Sequence, residues 1–169
     1  MESLYRGRFL ELVRDGHWEY TRRCQSRAVV CAIAVTETDH VLLVEQYRPP
    51  VRQRVLELPA GLVGDEADRE AEPDLHAIQR ELLEETGFLS SDWKFRGEYV
   101  SSAGLTNETT VFYEARNCRR AGTGGGVAGE NIQIHEIPRQ HAPSWLTERI
   151  QSGKLLDAKI WAGLWFLDH

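Results

Sequence analysis

A chain of 169 residues has the length of one domain and enough bulk to bury a proper core. Apolar residues make up 41% and charged residues 27%, an ordinary globular balance, and the formal net charge of −6 leaves no basic footprint for nucleic acid. No apolar run approaches the roughly eighteen residues of a membrane span, and the first residues lack the apolar stretch of a secretory signal, so no membrane partner and a cytoplasmic location are expected.

Residues 8–14 and 18–25 read as two strands around the turn Arg14-Asp15-Gly16, a hairpin signal. Residues 27–36 are almost continuously apolar, which predicts a strand buried on both faces. A turn over 36–40 leads to a strand at 41–46, and 55–58 is a short strand ending at Pro59. The next segment is a helix over 73–86. Pro73 suits its first turn, and Gly87 suits the left-handed position just past its end. Leu75, Ile78 and Leu82 form its buried stripe. Strands at 93–100 and 109–115 flank a loop at Gly104, and 132–137 is a further strand. Helices at 143–151 and 158–167 complete the series, with Trp145, Trp161 and Trp165 read as packing residues. Helices interleaved with mixed strands predict an α/β sandwich.

Cys24, Cys31 and Cys118 are an odd set without metal-type spacing, so reduced thiols are expected. The stretch from Arg119 to Gly129 is glycine-rich and admits two readings, a mobile lid over a site or a flexible loop without a role. No Lys-Ser/Thr follows it before a helix, so it is not a phosphate-cradling loop by pattern.

The most informative stretch is Arg80-Glu81-Leu82-Leu83-Glu84-Glu85-Thr86-Gly87-Phe88. Glu81 and Glu85 are one i,i+4 step apart and share a helix face. Like charges there weaken a helix by a few tenths of a kcal/mol, on the order of 0.2–0.5. The competing readings are a solvated acidic face and a cation site. Hard oxygen ligands suit Mg²⁺ or Mn²⁺, ions that usually accompany phosphate.

Ala60-Gly61, Glu72 and residues 80–88 resemble the Nudix box, G-x5-E-x7-R-E-U-x-E-E-x-G-U, where U is aliphatic or aromatic. From Glu72 onward the match is complete. Upstream, Gly61 and Glu72 enclose ten residues rather than five, a polar insert at 62–71 that reads as a longer surface loop. Further segments resemble the ADP-ribose and nucleoside-diphosphate-sugar pyrophosphatase branch: Trp18-Glu19 with Arg23, residues 45–50, Glu57-Leu58-Pro59-Ala60-Gly61, residues 102–108, and residues 153–159. Ala103 stands where that branch usually has proline. The resemblance covers most of residues 7–167.

It implies a Nudix-fold α/β/α sandwich with a mixed sheet, as one domain over 1–169. Residues 1–26 are its N-terminal strands, an element that in this branch reaches across a homodimer. It implies Mg²⁺-dependent cleavage of a nucleotide sugar, ADP-ribose or a relative, with GDP-mannose as rival substrate and a non-catalytic ADP-ribose sensor as rival function. Glu81, Glu85 and the Ala60 carbonyl are the implied metal ligands. Glu84 is a ligand, a partner of one, or a solvent-facing charge. Arg80 is expected to pair with and orient a neighbouring carboxylate. Glu130 is the candidate base, with Glu108 and His135 as rivals. Arg23 and Arg48 are candidates for gripping phosphate, since guanidinium forks fit it bidentately, although Arg23 also reads as a surface charge. Glu57 and Gly104 are carried over as substrate-binding positions. Trp18 is a candidate for stacking on the nucleobase or for plain core packing.

Overall fold

The computed structural model describes residues 1–64, 71–127 and 130–169. The chain opens with three antiparallel strands, β1 (Glu2–Arg6), β2 (Leu10–Asp15) and β3 (Trp18–Arg23), which form a sheet of their own. The expected hairpin is therefore the β2–β3 half of a three-stranded unit. The added strand is almost wholly exposed, so no burial pattern marked it. The unit is tied to the rest of the protein at Thr21. The Thr21 N–H donates to the Leu105 carbonyl (2.9 Å), and the Asn107 N–H donates back to the Thr21 carbonyl (3.4 Å).

The second sheet has nine strands. It contains β4 (Ala28–Thr36), β5 (His40–Arg48), β6 (Gln53–Glu57) and β7 (Ala60–Val63) from the first half of the chain. Helix α1 (Asp74–Thr86) follows, then β8 (Phe88–Leu89), β9 (Asp92–Val100), β10 (Thr109–Arg120) and β11 (Gln133–Pro138). Helix α2 (Ala142–Gln151), β12 (Leu155–Leu156) and α3 (Lys159–Asp168) end it. The main path runs β12-β6-β5-β4-β10-β8. Strand β10 is parallel to β4 and β12 is parallel to β6, while the other pairings are antiparallel, so the sheet is mixed.

Strand β4 explains the layering. All of its residues except Val29 are buried, as a strand covered on both faces requires. Because side chains alternate across a strand, Cys31, Ile33 and Val35 pack with Leu43, Leu58, Leu146, Ile160 and Leu164 on one face. Val30, Ala32 and Ala34 pack with Ala77, Ile78 and Leu82 on the other. One face is thus covered by α2 and α3, the other by α1, giving the α/β/α sandwich. Helix α1 has the expected bounds. The Pro73 carbonyl accepts from the Ala77 N–H (3.0 Å), and Gly87, at φ 72°, donates to the Leu83 carbonyl (2.8 Å).

Three expectations are corrected. Trp161 and Trp165 lie on the outer side of α3, 41% and 57% exposed, while Trp145 packs against the core. The glycine-rich stretch is neither a lid nor an idle loop over its described part. Gly125 and Gly126 donate to the carbonyls of Glu85 (2.8 Å) and Glu84 (3.0 Å), so the segment satisfies the open carbonyls at the end of α1. A Cβ on Gly124, at φ 65°, would stand 2.4 Å from the Thr86 carbonyl carbon, so glycine is needed for this approach. The insert at 62–71 begins as strand β7. Residues 65–70, and 128–129 of the glycine stretch, lie outside the described residues.

Candidate active site

Helix α1 lies against β7, and two glutamates of the helix meet the backbone of that strand. The Ala60 N–H donates to Glu85 Oε2 at 3.0 Å. One residue on, a Cβ at Gly61 would stand 2.0 Å from Glu81 Cδ, so the Glu81 carboxylate occupies the space that only glycine leaves open. Glu85 is buried. Burial pushes its carboxyl up to about 8 from the ordinary 4.5. The Ala60 N–H opposes that rise, and the charges of Glu81, Glu130 and Glu57 add to it.

Arg80 binds the acidic residues around it. Its Nη1 donates to Glu81 Oε1 (2.7 Å) and Glu84 Oε2 (3.2 Å), and its Nη2 donates to Glu72 Oε2 (3.3 Å). Glu72 therefore reaches this cluster despite the longer insert before it. Among the described residues, no group of three or more His, Cys, Asp and Glu side chains is placed to hold an ion. The donor set that fits a divalent cation is smaller: two crowded carboxylates and a backbone made accessible by Ala60 and Gly61. Mg²⁺ tolerates such a set, because it keeps several waters and takes phosphate oxygens.

Beside this cluster is a cleft of about 470 Å³. Arg23, Arg48, Glu57, Ala60, Gly61 and Glu108 line it, so the structure brings together groups from β3, β5, β6, β7 and the 101–108 loop. The Arg48 fork is bidentate to Glu57, at 2.6 Å for both bonds. Glu57 is buried, so this pair fixes the guanidinium at the cleft wall. Glu108 is held from two sides, by Arg23 Nε and by Ser101 Oγ (3.0 Å). Its carboxylate is thereby engaged as a charge partner. The Glu130 carboxylate accepts from the Val127 N–H (3.0 Å), and its charge is felt at Glu85.

Three candidates lie elsewhere. His135 Nε2 pairs with Glu45 (3.1 Å), which Lys154 and Arg54 also contact, and its ring packs on Trp145. Gly104 sits at the tip of its loop with nothing within 4 Å of a built Cβ. Trp18 is 57% exposed on β3, so it is not a core residue, and it does not line the cleft of its own chain.

Two residues of the cleft, Asp157 and Lys159, had no role assigned from sequence. Asp157 Oδ1 accepts the Lys159 N–H (2.8 Å) at the start of α3, and its Oδ2 accepts from Lys159 Nζ. The available signal was an Asp just before a helix, where such residues cap.

Acidic residues set by one helix of an α/β/α sandwich against the Ala60–Gly61 backbone, at the border of a cleft that also carries two arginines, define a class of protein, and the comparisons with known proteins agree with it. The NUDIX domain model matches residues 25–148, and the chain belongs to that family. It is similar to a GDP-mannose pyrophosphatase of Enterobacter sp. (strain 638), 33% identical over 131 residues, 73% of this chain and 63% of that protein. It is also similar to an ADP-ribose pyrophosphatase of Mycobacterium tuberculosis (strain ATCC 25618 / H37Rv), 31% identical over 127 residues, 72% of this chain and 59% of that protein. The chain thus spans about three fifths of the length of these two relatives. A methanol dehydrogenase activator of Bacillus methanolicus is 25% identical over 155 residues, 88% of this chain and 81% of that protein. Among solved structures, one described as an ADP compounds hydrolase shares the fold, with a TM-score of 0.66 and 22% identity over 86% of this chain and 80% of that one.

Proposed function

We propose that this chain is a Mg²⁺-dependent pyrophosphatase that hydrolyses ADP-ribose or a related nucleoside diphosphate sugar, with Mn²⁺ as the alternative ion. Its products are a nucleoside monophosphate and a sugar phosphate. The observation that carries the reading is the placement of Glu81 and Glu85 on the Ala60–Gly61 backbone, beside a cleft whose wall carries Arg23 and Arg48. Burial and the neighbouring Glu81 charge disfavour the ionised form of Glu85, a cost that a bound cation would relieve.

In this reading Glu81, Glu85 and the Ala60 carbonyl hold the ion, and Glu84 assists. When bound, the ion neutralises phosphate charge and makes nearby water more acidic. Arg80 keeps Glu81 and Glu84 oriented. Arg23 and Arg48 steady the diphosphate. Glu130 takes the proton of the attacking water as its oxygen bonds to phosphorus. The bond from phosphorus to the bridging oxygen breaks, and its electron pair leaves with the second phosphate. Glu130 is favoured over Glu108 because Arg23 and Ser101 already engage the latter. The exposed Trp18, Tyr5, Phe9 and Leu10 of the N-terminal unit support a homodimer in which Trp18 stacks on a base bound by the neighbouring subunit. A cytoplasmic location accords with three free cysteines.

Two rivals have support of their own. The GDP-mannose pyrophosphatase relative favours a GDP-mannose or broad nucleotide-sugar hydrolase, and Ala103, in place of the branch's proline, loosens the tie to ADP-ribose. The activator name of the Bacillus relative supports a regulatory role, the class to which a non-catalytic ADP-ribose sensor belongs. Turnover on ADP-ribose and GDP-mannose with Mg²⁺ separates the three. Preference for GDP-mannose by about tenfold in kcat/KM displaces ADP-ribose as substrate. Tight ADP-ribose binding with no metal-dependent turnover selects the regulator.

A further inference from the structure

A second recess, of about 330 Å³, lies between β9, the start of β10 and α3. It adjoins the cleft, because Asp157 and Lys159 wall both. A second link is Ser101, which lines the recess and donates to Glu108 of the cleft. The floor is aromatic. Tyr99, Phe112 and Phe166 have ring centroids 5.7–5.9 Å apart and meet at angles of 43–81°. Rings so arranged present apolar surface to the C–H face of a puckered ring. Ser101 and the carboxylate of Asp157 supply polar groups to the lining, and the buried Thr110 hydroxyl lies 3.3 Å from Ser101 Oγ.

We propose that this recess is the sugar subsite, and this rests on the nucleotide-sugar reading above. Asp157 accepts hydrogen bonds from ring hydroxyls, Tyr99 and Phe166 flank the ring, and Lys159 meets the adjoining phosphate. In the free protein Lys159 Nζ is paired with Asp157 Oδ2. An arriving phosphate draws the ammonium away and frees that oxygen for the sugar, while the Lys159 N–H keeps Oδ1 in place. The two ends of the ligand are then read separately, the base at Trp18 and the sugar here. Asp157, Lys159 and Phe166 also lie outside residues 25–148, the part matched by the family model. The metal-side residues Ala60, Glu81 and Glu85 lie inside it.

The test measures kcat/KM for ADP-ribose, ADP-glucose, GDP-mannose and GDP-glucose with the wild type, Asp157→Asn, Ala162→Phe and Trp18→Ala. Asn keeps an oxygen for the Lys159 N–H, and Ala162 is an exposed residue at the recess wall, so neither change opens the core. The two recess variants should alter the ADP-ribose to ADP-glucose ratio by at least about tenfold and leave the ADP-glucose to GDP-glucose ratio within about twofold. Trp18→Ala should do the reverse. Sugar ratios that stay within about twofold in both recess variants overturn the subsite, even if turnover is normal. If the wild type cleaves none of the four, the hydrolase reading fails by itself. Calorimetry then still decides on the recess. The affinity that ADP-ribose gains over bare ADP must shrink in Asp157→Asn, and an undiminished gain overturns the assignment.

Discussion

Replacing Glu85 with glutamine should make the metal-free protein more stable while abolishing its activity. Gln keeps an oxygen for the Ala60 N–H and nearly the same volume, so the main change is loss of a buried negative charge. The folded carboxyl sits at about 8, above its ordinary 4.5. Below 4.5 both states are protonated and the group adds nothing. As pH rises further the unfolded chain ionises first, so folding stability falls until about 8 and is flat above it. At about 1.4 kcal/mol per pH unit, that interval sets an upper bound of ~5 kcal/mol on the penalty. About 3 kcal/mol is a realistic share in a site that can relax, and for a domain of this size it corresponds to roughly 6–12 °C in Tm. The assay is thermal unfolding of wild type and Glu85→Gln from pH 5 to pH 8.5, with chelator and with saturating Mg²⁺. In chelator the advantage of the variant should grow with pH. Mg²⁺ should shrink or reverse it, because only the wild type has the full ligand set. A variant less stable than wild type at pH 8.5 in chelator, or a difference independent of pH, refutes the electrostatic argument.

Three further outcomes follow from the same geometry. Gly61→Ala should fold with a Tm within a few degrees of wild type, since the atoms its Cβ meets end a flexible side chain, yet kcat should fall by about a hundredfold as Glu81 is displaced. Circular dichroism with steady-state kinetics checks this, and normal kcat removes Glu81 from the site. Gly124→Ala should cost about 1–3 kcal/mol in denaturant unfolding, because its Cβ meets the backbone of Thr86 at a positive φ; an unchanged midpoint would mean the strap on α1 gives way freely. Glu130→Gln should lower kcat with little change in KM, whereas Glu108→Gln should mainly raise KM by loosening Arg23. The opposite pattern in steady-state kinetics exchanges their roles.

Strong local signals carried much of the fold. The bounds of α1 followed from Pro73, Gly87 and the Ile78–Leu82 stripe, and the double-sided burial of β4 followed from its unbroken apolar run. Strands β8 and β12 are two residues each, too short for any period to show. Strand β7 was hidden because the strand at 55–58 reads as ending at Pro59 and the residues from 62 onward read as a surface loop. The glycine run stayed open between a lid and an idle loop because composition cannot report that α1 ends against it. Within the site, the carboxylates of 81–85 were legible from spacing and resemblance, and Glu72 rejoined them through Arg80. Partnerships across the fold were not, since the Arg48–Glu57 and Arg23–Glu108 pairs are fixed by how strands and the 101–108 loop meet around the cleft. Exposure of Trp161 and Trp165 was likewise invisible, because α3 is apolar on most of its surface.

The measurement closest to the centre of this account is electron paramagnetic resonance of Mn²⁺ with a non-hydrolysable methylene analogue of ADP-ribose. The wild type should take up the ion at or below millimolar concentration and show ³¹P hyperfine coupling to the analogue. Glu81→Gln and Glu85→Gln should lose both. Absence of uptake by the wild type, or uptake and coupling unaltered by either substitution, contradicts the assignment of these carboxylates to a cation beside the diphosphate.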